Sequence, residues 1–261
     1  MTTSRSIGLF DLSGRIGLVT GSSRSIGRTL ADGLAAAGAT VVLNGLNRDR
    51  LAATEQAFAT TYGAERVRAC AFDVTDEPAV TEAVAWVEAE VGPLDIVINN
   101  AGVQHRVAML DLELADWERV ITANLTSAFV VGRAAARSMI SRGRGKIINI
   151  GSVQSDLARP TIAPYTAAKG GLRNLTRAMA AEWGPHGIQA NSLAPGYIHT
   201  EMTQNLVDDV NFNAWVLRRA PAGRWGLSGD LVGPAVWLAS SASDYVNGQT
   251  IFVDGGMTAV V

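Results

Sequence analysis

The chain has 261 residues, of which 48% are hydrophobic and 18% charged, and its formal net charge at pH 7 is −2. These values exclude a disordered chain and predict a single domain over residues 1–261. No basic face is available to neutralise phosphates, so a nucleic-acid partner is not expected. No apolar run reaches the ~18 residues of a membrane span, and residues 1–14 lack the apolar core of a signal peptide. A cytoplasmic protein without a membrane partner is predicted.

The cysteine and histidine content argues against a disulfide, a nucleophilic thiol and a metal site. Cys70 is the only cysteine, so it cannot form an intramolecular disulfide, and a reducing compartment is favoured. Because it lies in the apolar run Val67–Val74, it is predicted to be a buried structural thiol rather than a nucleophile. His105, His186 and His199 are dispersed along the chain, so no metal site is predicted.

Short β-rich runs alternate with longer helical segments, a pattern typical of βαβ units and a parallel sheet. The predicted strands are Arg15–Thr20, Thr40–Asn44, Val67–Ala71, Leu94–Ile98, Lys146–Ile150, Ile188–Leu193 and Thr250–Val253. The predicted helices are Ile26–Ala37, Arg48–Tyr62, Glu77–Val91, Leu114–Arg142, Tyr165–Trp183 and Gly229–Ala239. The pattern predicts an α/β fold, a Rossmann-like, doubly wound, seven-stranded parallel sheet with helices on both faces. We expect residues 12–150 to bind a cofactor and residues 151–261 to supply catalytic and substrate groups.

The first predicted strand leads into a glycine-containing loop over residues 20–27, which reads Thr-Gly-Ser-Ser-Arg-Ser-Ile-Gly. Gly21 permits a tight turn, and Gly27 lets the following helix pack closely on the strand. The N-terminus of that helix offers unpaired N–H groups to a pyrophosphate. Since the loop joins the first strand to the first helix, it predicts a dinucleotide site, the alternative being an ordinary βα turn.

The end of the second strand indicates which dinucleotide is bound. Sites that prefer NAD place a carboxylate there, and its charge would repel a 2′-phosphate. Here the strand ends at Asn44, the next acid is Asp49, and Arg24 and Arg48 are nearby cations. The sequence therefore predicts NADP over NAD, unless Arg24 is simply a solvated loop residue.

Tyr165 and Lys169 lie four residues apart at the start of a predicted helix, so both side chains project from one face. A free phenol with a pKa near ~10 is a poor acid–base group at neutral pH, but a nearby ammonium favours the phenolate. Ser152 follows the fifth strand, where its hydroxyl could hold a substrate oxygen in line with the phenol. Together these residues predict an acid–base site.

These motifs resemble those of the short-chain dehydrogenase/reductase family over residues Leu12–Gly256. The loop matches the family's Thr-Gly-x-x-x-Gly-x-Gly except at its middle glycine, where Ser25 stands. Residues 99–102 match the family's Asn-Asn-Ala-Gly, and Ser152 precedes the Tyr-x-x-x-Lys pair at the family spacing. The resemblance implies direct hydride transfer between a nicotinamide cofactor and a substrate CH–OH group.

The resemblance also implies roles for individual residues. Tyr165 exchanges a proton with the substrate oxygen, Ser152 orients that oxygen, and Asn124 carries a relay water. Lys169 lowers the tyrosine pKa and holds the nicotinamide ribose. The residues implied to contact NADP are Gly21, Ser23, Arg24, Ser25, Ile26, Gly27, Asn44, Asp73, Val74, Asn100, Ala101, Gly102, Tyr165, Lys169, Pro195, Gly196, Ile198 and Thr200. A homotetramer is also implied, with its dimer face on helices Leu125–Arg142 and Tyr165–Trp183.

Polar segments flank the predicted site. The candidate substrate residues Arg106, Ser152, Gln154 and Tyr165 suit a polyhydroxylated acid better than a steroid or an acyl chain, with a surface role for Arg106 as the alternative. Residues 152–155, 195–203 and 221–226 resemble the branch of the family that interconverts D-gluconate and 5-dehydrogluconate with NADP(H). A small-molecule sugar acid, polyol or ketose is thus the expected partner.

Three other functions remain open. Similar segments occur in the 2-dehydro-3-deoxygluconate 5-dehydrogenases of the same family. A reductase of 3-oxoacyl thioesters should carry a basic surface for its carrier protein, and none is evident in the sequence. A non-catalytic nucleotide-binding sensor is the third alternative, since a fold alone does not give a function. Such sensors typically lose the tyrosine or the lysine, and this chain keeps Tyr165 and Lys169.

Overall fold

The computed structural model describes residues 8–261, so the first residues of the segment tested for a signal peptide lie outside the described residues. One sheet contains seven strands: β1 (Ile16–Val19), β2 (Thr40–Asn44), β3 (Val67–Cys70), β4 (Leu94–Asn99), β5 (Gly145–Ile150), β6 (Ile188–Pro195) and β7 (Thr250–Val253). They lie in the order β3-β2-β1-β4-β5-β6-β7, and every neighbouring pair is parallel. The predicted parallel sheet is confirmed, and its order reverses between β1 and β4, where such sheets bind ligands.

Helices cover both faces of the sheet. They are α1 (Ser25–Ala36), α2 (Arg48–Tyr62), α3 (Glu77–Trp86), α4 (Leu114–Ile121), α5 (Ser127–Arg142), α6 (Ala163–Trp183), α7 (Gln204–Val207), α8 (Val210–Arg219) and α9 (Val232–Ala239). One apolar cluster packs α1, α2 and α9 on the sheet, and a second packs α3, α5 and α6 on the opposite face. Successive residues of β4 alternate between them, since Ile96 and Ile98 enter the first cluster and Val97 the second. This alternation follows from the two-residue period of a strand.

The predicted helix Leu114–Arg142 is not continuous. A π-helical turn at Thr122–Thr126 separates α4 from α5. Within it, the Asn124 Nδ2 donates to the Val120 carbonyl at 2.9 Å and to the Val103 carbonyl at 2.8 Å. The side chain thus occupies a carbonyl that an α-helix would pair with the Asn124 N–H. The prediction of one helix was wrong here because this tertiary contact competes with the regular backbone pattern, as often happens at functional sites.

Residues 196–226, the flap, connect β6 to the segment before α9. They contain a 3₁₀ turn at Glu201–Thr203 together with α7 and α8. The two ends of the flap are tied together, because the Gly226 N–H donates to the Tyr197 carbonyl and the His199 N–H donates to the Gly226 carbonyl, both at 2.9 Å. Among residues 8–261, no helix combines the length and apolarity that crossing a bilayer requires.

Candidate active site

A cleft of about 980 Å³ lies at the carboxyl ends of the strands, beside the reversal between β1 and β4. This volume is at the upper end of the range for small-molecule and cofactor sites. Every residue predicted to contact the dinucleotide lines the cleft, and so do the predicted catalytic residues Asn124, Ser152, Tyr165 and Lys169. The parallel sheet brings these distant motifs together because its strands all end at the same edge.

The loop between β1 and α1 leaves space that only glycine provides. Gly21 has a φ of +63°, which favours glycine. A Cβ on Gly27 would lie 2.3 Å from the Gly21 carbonyl oxygen and 2.4 Å from the Asn100 Nδ2. The Arg24 side chain at the N-cap of α1 makes no capping hydrogen bond, so it does not occupy the first N–H groups of the helix. This arrangement fits a bound pyrophosphate.

Asn44 at the end of β2 fixes the shape of this loop. Its Oδ1 accepts from the Gly21 N–H at 3.1 Å, and its Nδ2 donates to the carbonyls of Cys70 at 3.3 Å and Phe72 at 3.0 Å. An aspartate could accept the first bond but could not donate the other two. Asn44, predicted as a cofactor contact, is therefore a buried positioning residue as well as a cleft residue.

Ser25, the departure from the family glycine, has a φ of +51°. This is the left-handed conformation that glycine adopts without strain and that costs other residues about 1–2 kcal/mol. The loop therefore keeps a glycine-like backbone at a serine, and such strain persists only where the surrounding structure imposes it.

Arg24, predicted to bind a 2′-phosphate, pairs across the cleft with Glu201 of the flap at 2.9 Å. Both side chains are exposed, so the pair is worth at most about 1 kcal/mol, and a phosphate would compete with it readily. Arg48 is not among the cleft-lining residues, whereas Arg50, two residues later, is. The sequence indicated a cation after β2 but not which side of α2 faces the cleft.

Lys169 lies buried behind the predicted acid–base tyrosine. Its Nζ donates to the Ile150 carbonyl at 2.7 Å and lies 5.4 Å from the centroid of the Tyr165 ring. Burial lowers the pKa of Lys169 to about 8. The ammonium form is thus held by one carbonyl in an apolar setting.

The pKa of Tyr165 differs from the sequence-based expectation. Burial raises it above its ordinary value, hydrogen bonding with Ser152 lowers it, and the nearby Tyr197 raises it. The role that the resemblance implies for Lys169, which is to lower this pKa, stays a prediction, because burial sets the direction of the shift in the protein by itself. The desolvation of a phenolate outweighs the attraction of an ammonium that is 5.4 Å from the ring centroid and already bound to a carbonyl.

Asn124 presents a buried oxygen toward the cleft. Both of its amide hydrogens are used by the carbonyls of Val103 and Val120, while its Oδ1 has no partner within residues 8–261. A Cβ on Gly102 would lie 2.4 Å from that oxygen, so the glycine keeps the space open. A buried acceptor of this kind fits the predicted relay water.

The predicted substrate residues divide into two pairs. Ser152 and Tyr165 line the cleft, but Arg106 and Gln154 do not. Gln154 is buried beside Ser152. The backbone N–H of Gln154 donates to the Ser152 Oγ at 3.1 Å, and the Gln154 Oε1 has no partner within residues 8–261. Arg106 is exposed, and its Nη2 lies 3.5 Å from the carbonyl of Met202, a cleft residue of the flap.

Several cleft residues were not predicted. They lie after β2, on α4 and in the flap. The one feature of the sequence that could have indicated them is their closeness to the predicted motifs. They include Leu46, Asn47, Arg50, Glu118, Arg119, Glu201, Met202 and Thr203.

Cys70 ends β3 and is partly buried, which is less than the full burial predicted. Burial and then the charge of Glu82 raise its pKa. The thiolate is therefore disfavoured, as expected of a thiol with a structural role.

Comparisons with known proteins agree with this architecture. The gluconate 5-dehydrogenase of Gluconobacter oxydans is 55% identical over 252 residues, covering 96% of this chain and 97% of the relative. The 2-dehydro-3-deoxy-D-gluconate 5-dehydrogenase of Formosa agariphila is 44% identical over 260 residues, or 98% of this chain and 97% of the relative. A gluconate 5-dehydrogenase from Burkholderia cenocepacia, solved in complex with NADP and tartrate, has a TM-score of 0.95 at 51% identity, covering 98% of this chain and 100% of that one.

The family model described as enoyl-(acyl carrier protein) reductase matches residues 21–258. This match begins at the phosphate loop and includes every predicted catalytic residue. Together with relatives that share more than half of their residues with this chain over nearly its whole length, it establishes the family. The chain belongs to the short-chain dehydrogenase/reductase family.

Proposed function

We propose that this protein is an NADP(H)-dependent oxidoreductase that interconverts D-gluconate and 5-dehydro-D-gluconate. The observation that carries the proposal is the meeting of Ser152, Tyr165, Lys169 and Asn124 in one cleft with the phosphate loop. The relative from Gluconobacter oxydans, a gluconate 5-dehydrogenase, supports the choice of substrate.

The cleft residues fit a dinucleotide phosphate. Gly21 and Gly27 leave room for the phosphates beside the N-terminus of α1, and Arg24 and Arg50 are the cations that would meet a 2′-phosphate. Asp73 and Val74 would line the adenine pocket, while Ile198 and Thr200 would face the carboxamide of the nicotinamide. When bound, NADP(H) supplies the hydride donor or acceptor at its nicotinamide C4.

The chain's own residues handle the proton. Because the pKa of Tyr165 is raised by burial, its phenol is protonated at neutral pH and can donate to a ketone oxygen. In the oxidative direction the phenolate form accepts the proton of the substrate hydroxyl. Because the phenol is protonated at neutral pH, forming the phenolate there costs free energy that the reductive direction does not require. Ser152 holds the substrate oxygen close to the phenol, and the Lys169 ammonium and the Asn124 Oδ1 provide the route by which the proton reaches solvent.

Related sugar acids are the second candidate substrates. The relative from Formosa agariphila, which is 44% identical, is a 2-dehydro-3-deoxy-D-gluconate 5-dehydrogenase. Its name gives carbon 5 as the reacting carbon, as in gluconate 5-dehydrogenase. The Burkholderia cenocepacia relative binds tartrate, which is also a hydroxy acid. Both observations favour a carboxylate-bearing substrate over a 3-oxoacyl thioester, a steroid or a neutral ketose.

We also propose that the enzyme is a homotetramer. Phe129 on α5 is an exposed large apolar side chain, and its helix is part of the face expected to pair two subunits. Sedimentation velocity on the purified protein tests this, and a monomer at all accessible concentrations would contradict it.

The proposed activity is tested by following nicotinamide absorbance with purified protein. D-Gluconate, 2-dehydro-3-deoxy-D-gluconate, galactitol and a 3-oxoacyl thioester are each assayed, in the direction that their oxidation state allows, with NADP(H) and with NAD(H). We expect the largest kcat/KM for the gluconate pair with NADP(H). Tight NADPH binding without turnover of any substrate would instead identify a nucleotide sensor.

A further inference from the structure

Two loops beside the cleft each carry an arginine, Arg106 in one and Arg159 in the other. The family motifs described above do not pair these two residues. The Val107 N–H donates to the Thr161 carbonyl at 3.0 Å, which joins the loop after β4 to the loop before α6. Thr161 has a φ of +71°, a conformation that a β-branched residue adopts only when its surroundings impose it. The joined loops place Arg106 and Arg159 as neighbours.

The two guanidinium groups carry uncompensated charge. Neither Arg106 nor Arg159 forms an ion pair with any acid among residues 8–261. Burial, and then the charge of Arg159, lowers the pKa of Arg106, so the two groups are close enough to repel. An anion shared by both would relieve that repulsion, and a carboxylate is the anion that a guanidinium binds best.

The pair lies beside the cleft, since the Arg106 Nη2 is 3.5 Å from the carbonyl of the cleft residue Met202. Tyr197 is close to both groups, because the charges of Arg159 and Arg106 oppose the rise of its pKa that burial causes. Tyr197 is also close enough to Tyr165 to raise the pKa of that phenol. Tyr197 is therefore a neighbour of the two arginines as well as of the acid–base group.

Arg159 is also held by the flap. Its guanidinium carbon lies 5.3 Å from the centroid of the Phe212 ring on α8, a cation–π distance. Phe212 in turn packs edge-on against Tyr197, with centroids 5.4 Å apart. A guanidinium held by an aromatic ring in this way keeps N–H groups that can donate to a carboxylate.

We propose that Arg159 is a specificity-determining residue that binds the carboxylate of the substrate together with Arg106. This inference rests on the proposed function and extends it, because it states which groups distinguish a sugar acid from a neutral polyol. The planar fork of each arginine donates two N–H groups, so the two together can satisfy both carboxylate oxygens.

The test compares a charged substrate with its neutral analogue. Wild-type activity is measured first with sugar acids, which decides the proposed function alone. Arg159→Gln is then compared with wild type on the sugar acid that wild type uses best and on its amide, such as D-gluconamide. The amide is measured as a substrate or, if it is not turned over, as a competitive inhibitor.

We expect Arg159→Gln to lower kcat/KM for the acid by about tenfold to a hundredfold, the effect of losing a hydrogen bond to a charged group. The loss should be mainly in KM, and the constant for the amide should change by less than about threefold. Arg159→Lys should recover part of the loss, because it keeps the charge but not the planar fork. Arg218→Gln, which removes an exposed charge from the same flap helix α8, is the matched control and should behave like wild type.

Phe212→Leu removes the ring that contacts Arg159 and leaves the arginine with its charge. We expect a smaller loss of kcat/KM than in Arg159→Gln, and a loss for the acid but not for the amide. In the double variant Arg106→Gln/Arg159→Gln, the loss should be smaller than the product of the single losses if both groups hold one carboxylate. Equal losses for acid and amide in Arg159→Gln would overturn the inference and show a structural role, and so would an unchanged kcat/KM for the acid.

Discussion

The two ends of the cleft are built in different ways. At the phosphate end, the polar groups are paired within the protein. The Thr20 Oγ1 accepts from the N–H groups of Asn100 and Ala101 at 2.9 and 3.0 Å, and the Asn100 Nδ2 donates to the Thr20 and Gly21 carbonyls at 2.9 and 3.2 Å. At the substrate end, the buried oxygens of Asn124, Gln154 and Ser155 have no partners within residues 8–261.

This difference separates two kinds of recognition. The phosphate end presents backbone N–H groups held in a fixed shape, so many side chains there serve the loop rather than the ligand. The substrate end holds buried side-chain oxygens without protein partners among residues 8–261, and such side-chain groups are where an enzyme of a common fold acquires its own specificity. Substitutions at the two ends should therefore affect different properties of the enzyme.

The largest effect is expected at the acid–base group of the substrate end. Tyr165→Phe should lower kcat by about 10²–10⁴, the typical contribution of general acid–base catalysis. The affinity for NADPH, measured by fluorescence titration, should stay close to that of wild type. Tyr245→Phe, at a fully exposed tyrosine, is the control. A folded Tyr165→Phe variant that turns over at near the wild-type rate would remove Tyr165 from the mechanism.

The buried lysine predicts a pH-dependent stability. The pKa of Lys169 is about 8 in the folded chain and 10.5 in its ordinary state, so between these values the unfolded chain holds the proton more tightly. The free energy of unfolding should therefore rise with pH through this window, by up to about 3 kcal/mol.

Lys169→Met lacks this titration, so its stability relative to wild type should fall as the pH rises from 7.5 to 10. Urea unfolding of both proteins at these two pH values, at one protein concentration, measures the difference. A constant difference between the two proteins would mean that Lys169 keeps its ordinary pKa in the fold.

The cation of the phosphate end should affect the choice of dinucleotide. Arg24→Ala should lower kcat/KM with NADP by about tenfold to a hundredfold while leaving NAD nearly unaffected, because a charged hydrogen bond to the 2′-phosphate is lost. Glu201→Gln should slightly improve NADP binding, since Arg24 no longer has to leave an exposed ion pair. Arg28→Ala, at an exposed residue of α1 that does not line the cleft, is the control. Equal losses with both dinucleotides would place Arg24 outside the 2′-phosphate site.

The smallest effects are expected from relief of backbone strain, which occurs at both ends of the cleft. Ser25→Gly and Thr161→Gly should each raise the free energy of unfolding by no more than about 1 kcal/mol, since relieved left-handed strain exceeds the added entropy of glycine. Ser23→Gly, where φ is not positive, should lower it. Thermal unfolding of the three variants tests the prediction, and a destabilised Ser25→Gly would show that the serine side chain matters more than its φ.

The sequence by itself determined the sheet, the loop and the acid–base set. Strand and helix periodicity is local, and parallel strands end at one edge, so residues such as Ser152, Tyr165 and Asn100 could be placed together without knowing any long-range contact. The motif spacing therefore located the cleft and more than half of the residues that line it.

Only the tertiary structure decided which groups these residues meet. The ion pair of Arg24 and Glu201 joins positions 177 residues apart, and a hydrogen bond between Val107 and Thr161 joins the two loops that carry Arg106 and Arg159. The raised pKa of Tyr165 follows from burial, and the π-helical turn at Asn124 follows from a contact with Val103. Burial and long-range pairing arise from the packing of the whole chain, so no local pattern of residues contains them.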